Sequence, residues 1–259
     1  MTAALDLKLL ASQIRYEQIA FWRNRRLAFF TFGFPLMFLV IFGSLNQGRQ
    51  LESLGINWET FFVPGILAYG LVTQAFSNIA ISMATARDNG VIKRVQGAPV
   101  PWWTWVAGRI GSTVLVTVLM CAVTLLVGTL LLGVDVRAAT LPGLLLAIVL
   151  GTICFTTLGV GFVRMLPSAD TAGPMQAFVV MPVAFISNIF FPLEEAPAWV
   201  GQVADALPLK PLADALHTAF DPTTAAPGIA WPNLEALGIW SLVGIWLMMR
   251  VLSGMRKRR

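Results

Sequence analysis

Long apolar stretches recur along the whole chain and alternate with shorter polar segments. Six of them approach the ~20 residues that a helix needs to cross the hydrocarbon core of a bilayer. They cover residues 27–45, 61–83, 105–133, 141–163, 174–193 and 234–252. The pattern predicts an all-α integral membrane protein with six transmembrane helices, organised as a single transmembrane domain over residues 1–259.

The composition indicates a protein that lies mostly within the membrane. Hydrophobic residues make up 57% of the 259 residues and charged residues 12%, and the mean hydropathy is +0.75. Because the apolar stretches extend over the whole chain, these values exclude a soluble enzyme that is carried by one membrane anchor.

The lysines and arginines predict the orientation. If the N-terminus lies in the cytoplasm, every basic residue except Arg49, Arg137 and Lys210 falls on the cytoplasmic side. This asymmetry is the positive-inside pattern, and an even number of spans returns both termini to the cytoplasm. We therefore expect a multi-pass protein of the cytoplasmic (inner) membrane. Its net charge of +5 then reflects contact with anionic membrane lipids rather than with a nucleic-acid partner.

Three segments outside the predicted spans also have helical patterns. Residues 1–26 place apolar and basic side chains on different faces, which predicts an interfacial helix, either a passive anchor or an elbow that tilts with a moving bundle. Residues 84–101 form a cytoplasmic loop. Residues 194–233 are expected to form a short extracellular cap of two helices. The acidic residues of this cap favour a solvated surface over a cation site.

The loop over residues 84–101 contains a short amphipathic helix that Gly97 and Pro99 would end. On this helix Val91, Ile92 and Val95 share one face. A helix of one or two turns is not stable alone. It therefore needs a partner surface, which is either the membrane or another protein.

The sequence lacks several motifs that carry enzymatic chemistry. No segment matches Gly-x-x-x-x-Gly-Lys-Ser/Thr, His-Glu-x-x-His or Gly-x-Ser-x-Gly. The signatures of a nucleotide-hydrolysing loop, an intramembrane metalloprotease and a serine hydrolase are thus missing. The one histidine, His217, is expected to be structural or solvated. We predict that the chain is not an enzyme and has no catalytic residue, cofactor site or metal site of its own.

Neutral polar residues interrupt two of the predicted spans. Gln74, Asn78 and Ser82 recur at every fourth position, so they share one helical face. Ser187 and Asn188 follow Phe185 in the fifth span. Such side chains either join helices through hydrogen bonds of about 1 kcal/mol or line a path for an amphiphilic compound.

The order of these segments resembles the permease subunits of type-2 ATP-binding-cassette exporters, in particular the drug-resistance and daunorubicin-type branch. The resemblance covers nearly the whole chain. Its most specific parts are the stretch from Arg87-Asp88-Asn89-Gly90 to Ala98-Pro99, the stretch from Phe185 to Leu193, and Pro197-Ala198-Trp199 with Leu207-Pro208-Leu209. Ala86 stands where the family usually has glutamate, and Asn188 stands where glycine is frequent.

The resemblance implies an exporter that moves a hydrophobic or amphiphilic, drug-like compound out of the cytoplasm. It implies a partner ATPase subunit, present in two copies, that binds ATP and Mg, and a second permease subunit, with a homodimer expected. The implied ATPase-coupling residues are Arg87, Asp88, Gly90, Val91, Ile92, Val95 and Pro99. The implied cargo path comprises Gln74, Asn78, Phe185, Ser187 and Asn188. The alternatives are export of a lipid or lipid-linked glycan, and, from a different class, an intramembrane enzyme or a non-transporting assembly subunit.

Overall fold

The structure, a computed structural model, describes residues 2–52, 54–97, 102–193 and 197–256. Almost all of the regular structure is helical. The helices are α1 (Thr2–Arg23), α2 (Arg25–Leu45), α3 (Trp58–Val72), α4 (Ile79–Asp88), α5 (Val91–Gly97), α6 (Trp102–Leu132), α7 (Leu141–Phe162), α8 (Ala169–Phe185), α9 (Ala198–Asp205), α10 (Leu209–Phe220) and α11 (Trp231–Arg256). A short antiparallel hairpin pairs β1 (Gln50–Leu51) with β2 (Ile56–Asn57) between α2 and α3.

Within the described residues, five helices are long and apolar enough to cross a membrane. One of them is continuous from α3 to α4, because the π-helical turn Thr73–Asn78 joins the two segments without a break. The five helices are Arg25–Leu45, Trp58–Asp88, Trp103–Leu132, Ala138–Met165 and Trp231–Gly254. They confirm the all-α membrane fold and five of the predicted spans.

The bounds of the predicted span over residues 174–193 are corrected by the structure, in which the helix covers Ala169–Phe185. Helix α8 has 17 residues and is about 25 Å long at 1.5 Å per residue, at the lower end of the length range of a membrane-spanning helix. The helix ends at Phe185 and the chain turns at Asn188, which has a left-handed φ of 60°. An apolar composition therefore continues beyond the point where the helix stops.

The segment between α8 and α11 forms two helices, as predicted, but α10 does not lie above the bundle. It packs against α3, α7 and α11. The Leu212 side chain lies against Gly151, midway along α7, and Leu71 of α3 meets the same glycine. The prediction of a surface cap is therefore corrected for α10, which is a buried helix. The side of the membrane on which this segment lies stays a prediction.

Helices α7 and α11 run side by side in the same direction and make the most extensive helix pair of the fold. Gly161 lies against Leu247, and Gly244 lies against Thr157 and Leu158. Small residues let two membrane helices approach closely, so that packing and hydrogen bonds replace the hydrophobic driving force that is absent in lipid. Gly161 and Leu247 therefore lie at the same depth in the membrane, and so do residues that follow them at equal distances along the two helices.

The N-terminal helix is also held against the bundle. Ile14 of α1 packs on Gly111 of α6, and Gln18 Nε2 donates to the Ser112 carbonyl at 3.0 Å. Arg109 forms an ion pair with Glu17 at 3.3 Å. Helix formation over most of residues 1–26 is thus confirmed, and α1 is attached to α6 by specific contacts.

Candidate functional site

The junction between α4 and α5 is tied to the junction between α7 and α8. The Arg87 guanidinium donates to the carbonyls of Val163, Leu166 and Pro167 at 3.3, 2.9 and 3.2 Å. These residues form the end of α7 and the turn after it. Asp88 accepts a hydrogen bond from Arg87 Nε at 2.9 Å.

Asp88 extends this connection to the first residue of α8. Its second carboxylate oxygen accepts a hydrogen bond from the backbone N–H of Ala169 at 2.6 Å. An anionic side chain at the N-terminus of a helix is favoured, because the first N–H groups of the helix have no partner inside it. We call the Arg87–Asp88 pair with its four backbone partners the α8 clamp.

The short helix α5 follows the clamp. Gly90 provides the turn with a left-handed φ of 68°, a conformation that glycine adopts without a steric penalty. Val91, Ile92 and Val95 are half-buried and pack against the apolar cluster that contains Met83, Trp105 and Val106. The side chains of Lys93 and Arg94 are exposed on the other face.

These contacts add partners within the chain to those that the sequence suggested for the loop. Arg87 and Asp88 bond to the α7–α8 junction, and the apolar face of α5 is half-buried against the chain itself. Pro99 lies outside the described residues. A role of the loop in coupling stays a prediction, and the α8 clamp shows which part of the permease the loop would move.

A groove rich in aromatic residues lies between α2, α3 and α8, at the end of the bundle opposite to α5. It has a volume of about 440 Å³, within the range of about 300–1,000 Å³ that is typical of small-molecule sites. Phe185 lines it together with Met181 of α8. The other lining residues are Phe34, Phe38, Phe42, Asn46, Arg49, Leu51, Trp58, Phe62, Tyr69, Phe190, Phe191 and Pro192. We call this surface the aromatic groove.

Gln74 and Asn78 lie elsewhere. Together with Ser82 they line a separate polar crevice of about 150 Å³ between α1, α4 and α6, which confirms that the three side chains share a face. The amide of Asn78 donates to Gln74 and to Thr31 Oγ1. The structure therefore does not bring Gln74 and Asn78 together with Phe185, and a continuous cargo path through all of them stays a prediction.

Ser187 and Asn188 form the turn after α8 rather than a lining of the aromatic groove. The Asn188 side-chain amide donates to Asp214 Oδ1 at 2.9 Å. The Asn188 backbone carbonyl accepts a hydrogen bond from His217 Nε2 at 2.9 Å. Ser187 is fully buried, and its hydroxyl has no hydrogen-bond partner among the described residues. Asn188 is thus paired inside the chain, and its expected contact with cargo stays a prediction.

The sequence predicted that His217 is either structural or solvated. The structure favours the structural role, because the ring packs against other parts of the chain. Its ring stacks on Phe61 with a centroid distance of 4.6 Å. Burial lowers the pKa of His217 below its usual value, although the Asn188 carbonyl and the Asp214 carboxylate act in the opposite direction.

A charged cluster that the sequence did not predict joins α9 to α10. Lys210 Nζ lies 2.6 Å from Asp205 and 3.2 Å from Asp214. Desolvation lowers the pKa of Lys210, but the two carboxylates more than offset it, so the pKa is raised. The i, i+4 spacing of Lys210 and Asp214 is the only signal in the sequence that could have indicated this pair.

Comparison with known proteins places this architecture in a family. The family model described as "ABC-2 type transporter" matches residues 9–220. The chain is similar to the inner membrane transport permease YadH of Escherichia coli strain K12, with 26% identity over 170 residues. It is also similar to the daunorubicin resistance ABC transporter permease protein DrrB1 of Streptomyces coeruleorubidus, with 29% identity over 187 residues.

The alignment with YadH covers 64% of this chain and 64% of YadH, and that with DrrB1 covers 70% of this chain and 64% of DrrB1. The chain thus spans just under two thirds of the length of these relatives. The match to the family model runs from α1 to the end of α10, and so includes the α8 clamp, the aromatic groove and the charged cluster. The chain therefore belongs to the ABC-2 type transporter family of membrane permeases.

Proposed function

We propose that this chain is the membrane subunit of an ATP-driven exporter that moves hydrophobic or amphiphilic, drug-like compounds out of the cytoplasm. The observation that carries the proposal is the aromatic groove, whose wall includes Phe185 and Met181 of α8. Aromatic and aliphatic side chains with a few polar groups suit an amphiphilic molecule. The name of DrrB1, a daunorubicin resistance permease, supports the same class of cargo.

Energy for transport comes from a separate ATPase subunit. Two copies of this subunit bind ATP and Mg, and the exporter contains a second permease subunit, a homodimer being the simplest arrangement. ATP binding and hydrolysis favour different conformations of the permease. The end of the bundle that carries α5 faces the cytoplasm in this proposal, where a soluble ATPase reaches it.

The α8 clamp provides the route by which the ATPase acts on the aromatic groove. A displacement of α5 moves Arg87 and Asp88. Arg87 is bonded to the turn before α8, and Asp88 is bonded to the first residue of α8. Met181 and Phe185 lie near the other end of α8. A tilt of this short helix therefore changes the wall of the groove without breaking the packing of α7 on α11.

The experiment tests transport and the groove together. The chain is co-expressed with its ATPase, and ATP-dependent uptake of a panel of amphiphilic cations and phospholipid analogues is measured in inverted membrane vesicles. Phe185→Ala is expected to change the relative uptake of the aromatic compounds. Phe178→Ala is the matched control, because Phe178 is 81% exposed on the same helix and does not line the groove.

Uptake of phospholipid analogues alone would favour a lipid exporter over a drug exporter. An absence of ATP-dependent uptake for the whole panel, in vesicles where the ATPase co-purifies with the permease, would contradict the proposal and favour an assembly subunit. Equal changes for Phe185→Ala and Phe178→Ala would leave transport in place but reject the groove as the cargo site.

A further inference from the structure

A second cavity, separate from the aromatic groove, lies between α7, α8 and α11. Its volume is about 280 Å³. The start of α10 closes its inner end with Pro208 and Leu209, and Leu158, Val183 and Leu247 line its walls. Among its described lining residues Arg164 alone carries a polar side chain, and the rest are apolar.

The length of the cavity matches one leaflet of a bilayer. It extends along α7 from Phe155 to Arg164, a distance of nine residues or about 13 Å at the helical rise. Half of the hydrocarbon core is about 15 Å. A chain that enters beside Arg164 thus reaches Leu209 near the midplane.

Arg164 lies at one end of the cavity, and Arg250 of α11 is expected at a similar depth. Gly161 of α7 contacts Leu247 of α11. Three residues farther along the chain, Arg164 lies in the 3-10 turn that follows α7, and Arg250 lies in α11. Arg250 stacks over Trp246 at 4.0 Å, a pairing typical of the membrane interface. No carboxylate in the described part of the chain forms an ion pair with either arginine.

We propose that this cavity binds one acyl chain of an anionic phospholipid, with the phosphate of the headgroup between Arg164 and Arg250. The two unpaired cations select a negative headgroup, and the apolar walls accept the hydrocarbon chain. The lipid comes from the leaflet at the α5 end of the bundle. Because α8 forms one wall through Val179, Val180 and Val183, the bound chain separates α8 from α7.

The test measures contact between the cavity and lipids of known headgroup. A bimane label is attached to Val179→Cys in the full-length chain, where Cys121 and Cys154 are buried and stay in place. The protein is reconstituted with phosphatidylcholine that contains either brominated phosphatidylglycerol or brominated phosphatidylcholine, and bromine quenching is recorded. Leu242→Cys is the matched control, since Leu242 is 68% exposed on α11, near the same depth and outside the cavity.

A basic residue near an anionic headgroup favours its binding by about fivefold. We therefore expect brominated phosphatidylglycerol to quench the label at Val179 at several-fold lower lipid content than brominated phosphatidylcholine, and both lipids to quench equally at Leu242. Arg164→Gln should lower this preference about fivefold, Arg164→Lys should keep most of it, and Arg23→Gln, which removes an exposed cation outside the cavity, should leave it unchanged.

A cavity-filling substitution distinguishes binding of the acyl chain in the cavity from electrostatic attraction of the lipid headgroup to the protein surface. Val183→Phe should reduce quenching at Val179 by both lipids, whereas Met181→Phe, on the part of α8 that faces the aromatic groove, should not. Equal quenching by the two headgroups at Val179 in the protein that retains both arginines would overturn the proposal. So would a headgroup preference that Arg164→Gln and Arg23→Gln reduce alike, because this result indicates a general effect of charge.

Discussion

Removal of the Arg87 side chain should uncouple ATP hydrolysis from transport. The guanidinium holds three carbonyls at the α7–α8 junction and one carboxylate oxygen of Asp88. Arg87→Ala deletes all of these bonds, while the exposed residues Lys93 and Arg94 of α5 stay in place. The ATPase subunit should therefore still bind, but α8 should no longer follow α5.

The magnitude follows from the geometry. A hydrogen bond to a charged group contributes about 1.5–3 kcal/mol. The Arg87 side chain is 32% exposed, and its bonds share one donor group, so their contributions do not add. We expect Arg87→Ala to weaken the attachment of α8 to the α4–α5 junction by about 2–4 kcal/mol. Since 1.4 kcal/mol corresponds to a factor of ten, transport per ATP hydrolysed should fall by at least about tenfold.

The assay compares ATP hydrolysis, vesicle uptake and retention of the ATPase subunit for each variant. Arg87→Lys should recover little, because one ammonium group cannot reach three carbonyls in the way that the planar guanidinium does. Arg94→Ala is the control, as Arg94 donates to the nearby Asn89 carbonyl and to no residue of the α7–α8 junction within the described part of the chain. It should leave transport per ATP unchanged.

Two results would refute this reasoning. If Arg87→Ala releases the ATPase subunit, the side chain contacts the partner and not only the α7–α8 junction. If the variant keeps full transport per ATP, the α8 clamp does not transmit movement. A loss of thermal stability without a change in the ratio of transport to hydrolysis would assign the clamp to folding alone.

Three further predictions follow from the charge pattern, the fold family and the cluster in α10. An impermeant thiol reagent added to intact cells should label Gln202→Cys and not Ser253→Cys, and the reverse pattern would invert the topology. The mass of the solubilised active complex should contain two permease chains, and a single copy would reject the dimer. Lys210→Met should destabilise the protein by about 1–3 kcal/mol, because it leaves the partly buried Asp214 carboxylate without its cation. Adding Asp214→Asn to Lys210→Met should restore part of this loss in thermal unfolding, and equal loss in both variants would show that the ion pair is not the cause.

The sequence determined the elements whose cause is local. Five spanning helices follow from the length of the apolar stretches, because the thickness of a bilayer imposes a matching length of helix. Gly97 and Pro99 predicted the end of a short helix in the cytoplasmic loop, and the structure has α5 at Val91–Gly97. The shared face of Gln74, Asn78 and Ser82 likewise follows from helical periodicity.

Contacts between distant segments decided the rest, and hydropathy carries no information about them. The apolar sequence continues past Phe185, yet α8 stops there because Asn188 turns the chain toward Asp214 and His217. Helix α10 was expected at the surface as part of an acidic cap over residues 194–233. It nevertheless carries Lys210, Asp214 and His217 into the protein. It is buried because each of these groups has its partner within the protein, and a polar side chain can leave water at low cost only when it is paired. The bonds of Arg87 likewise could not be predicted, since a sequence does not show which carbonyls 76 to 80 positions away the side chain will meet. The role in coupling that the resemblance implies for Arg87 stays a prediction.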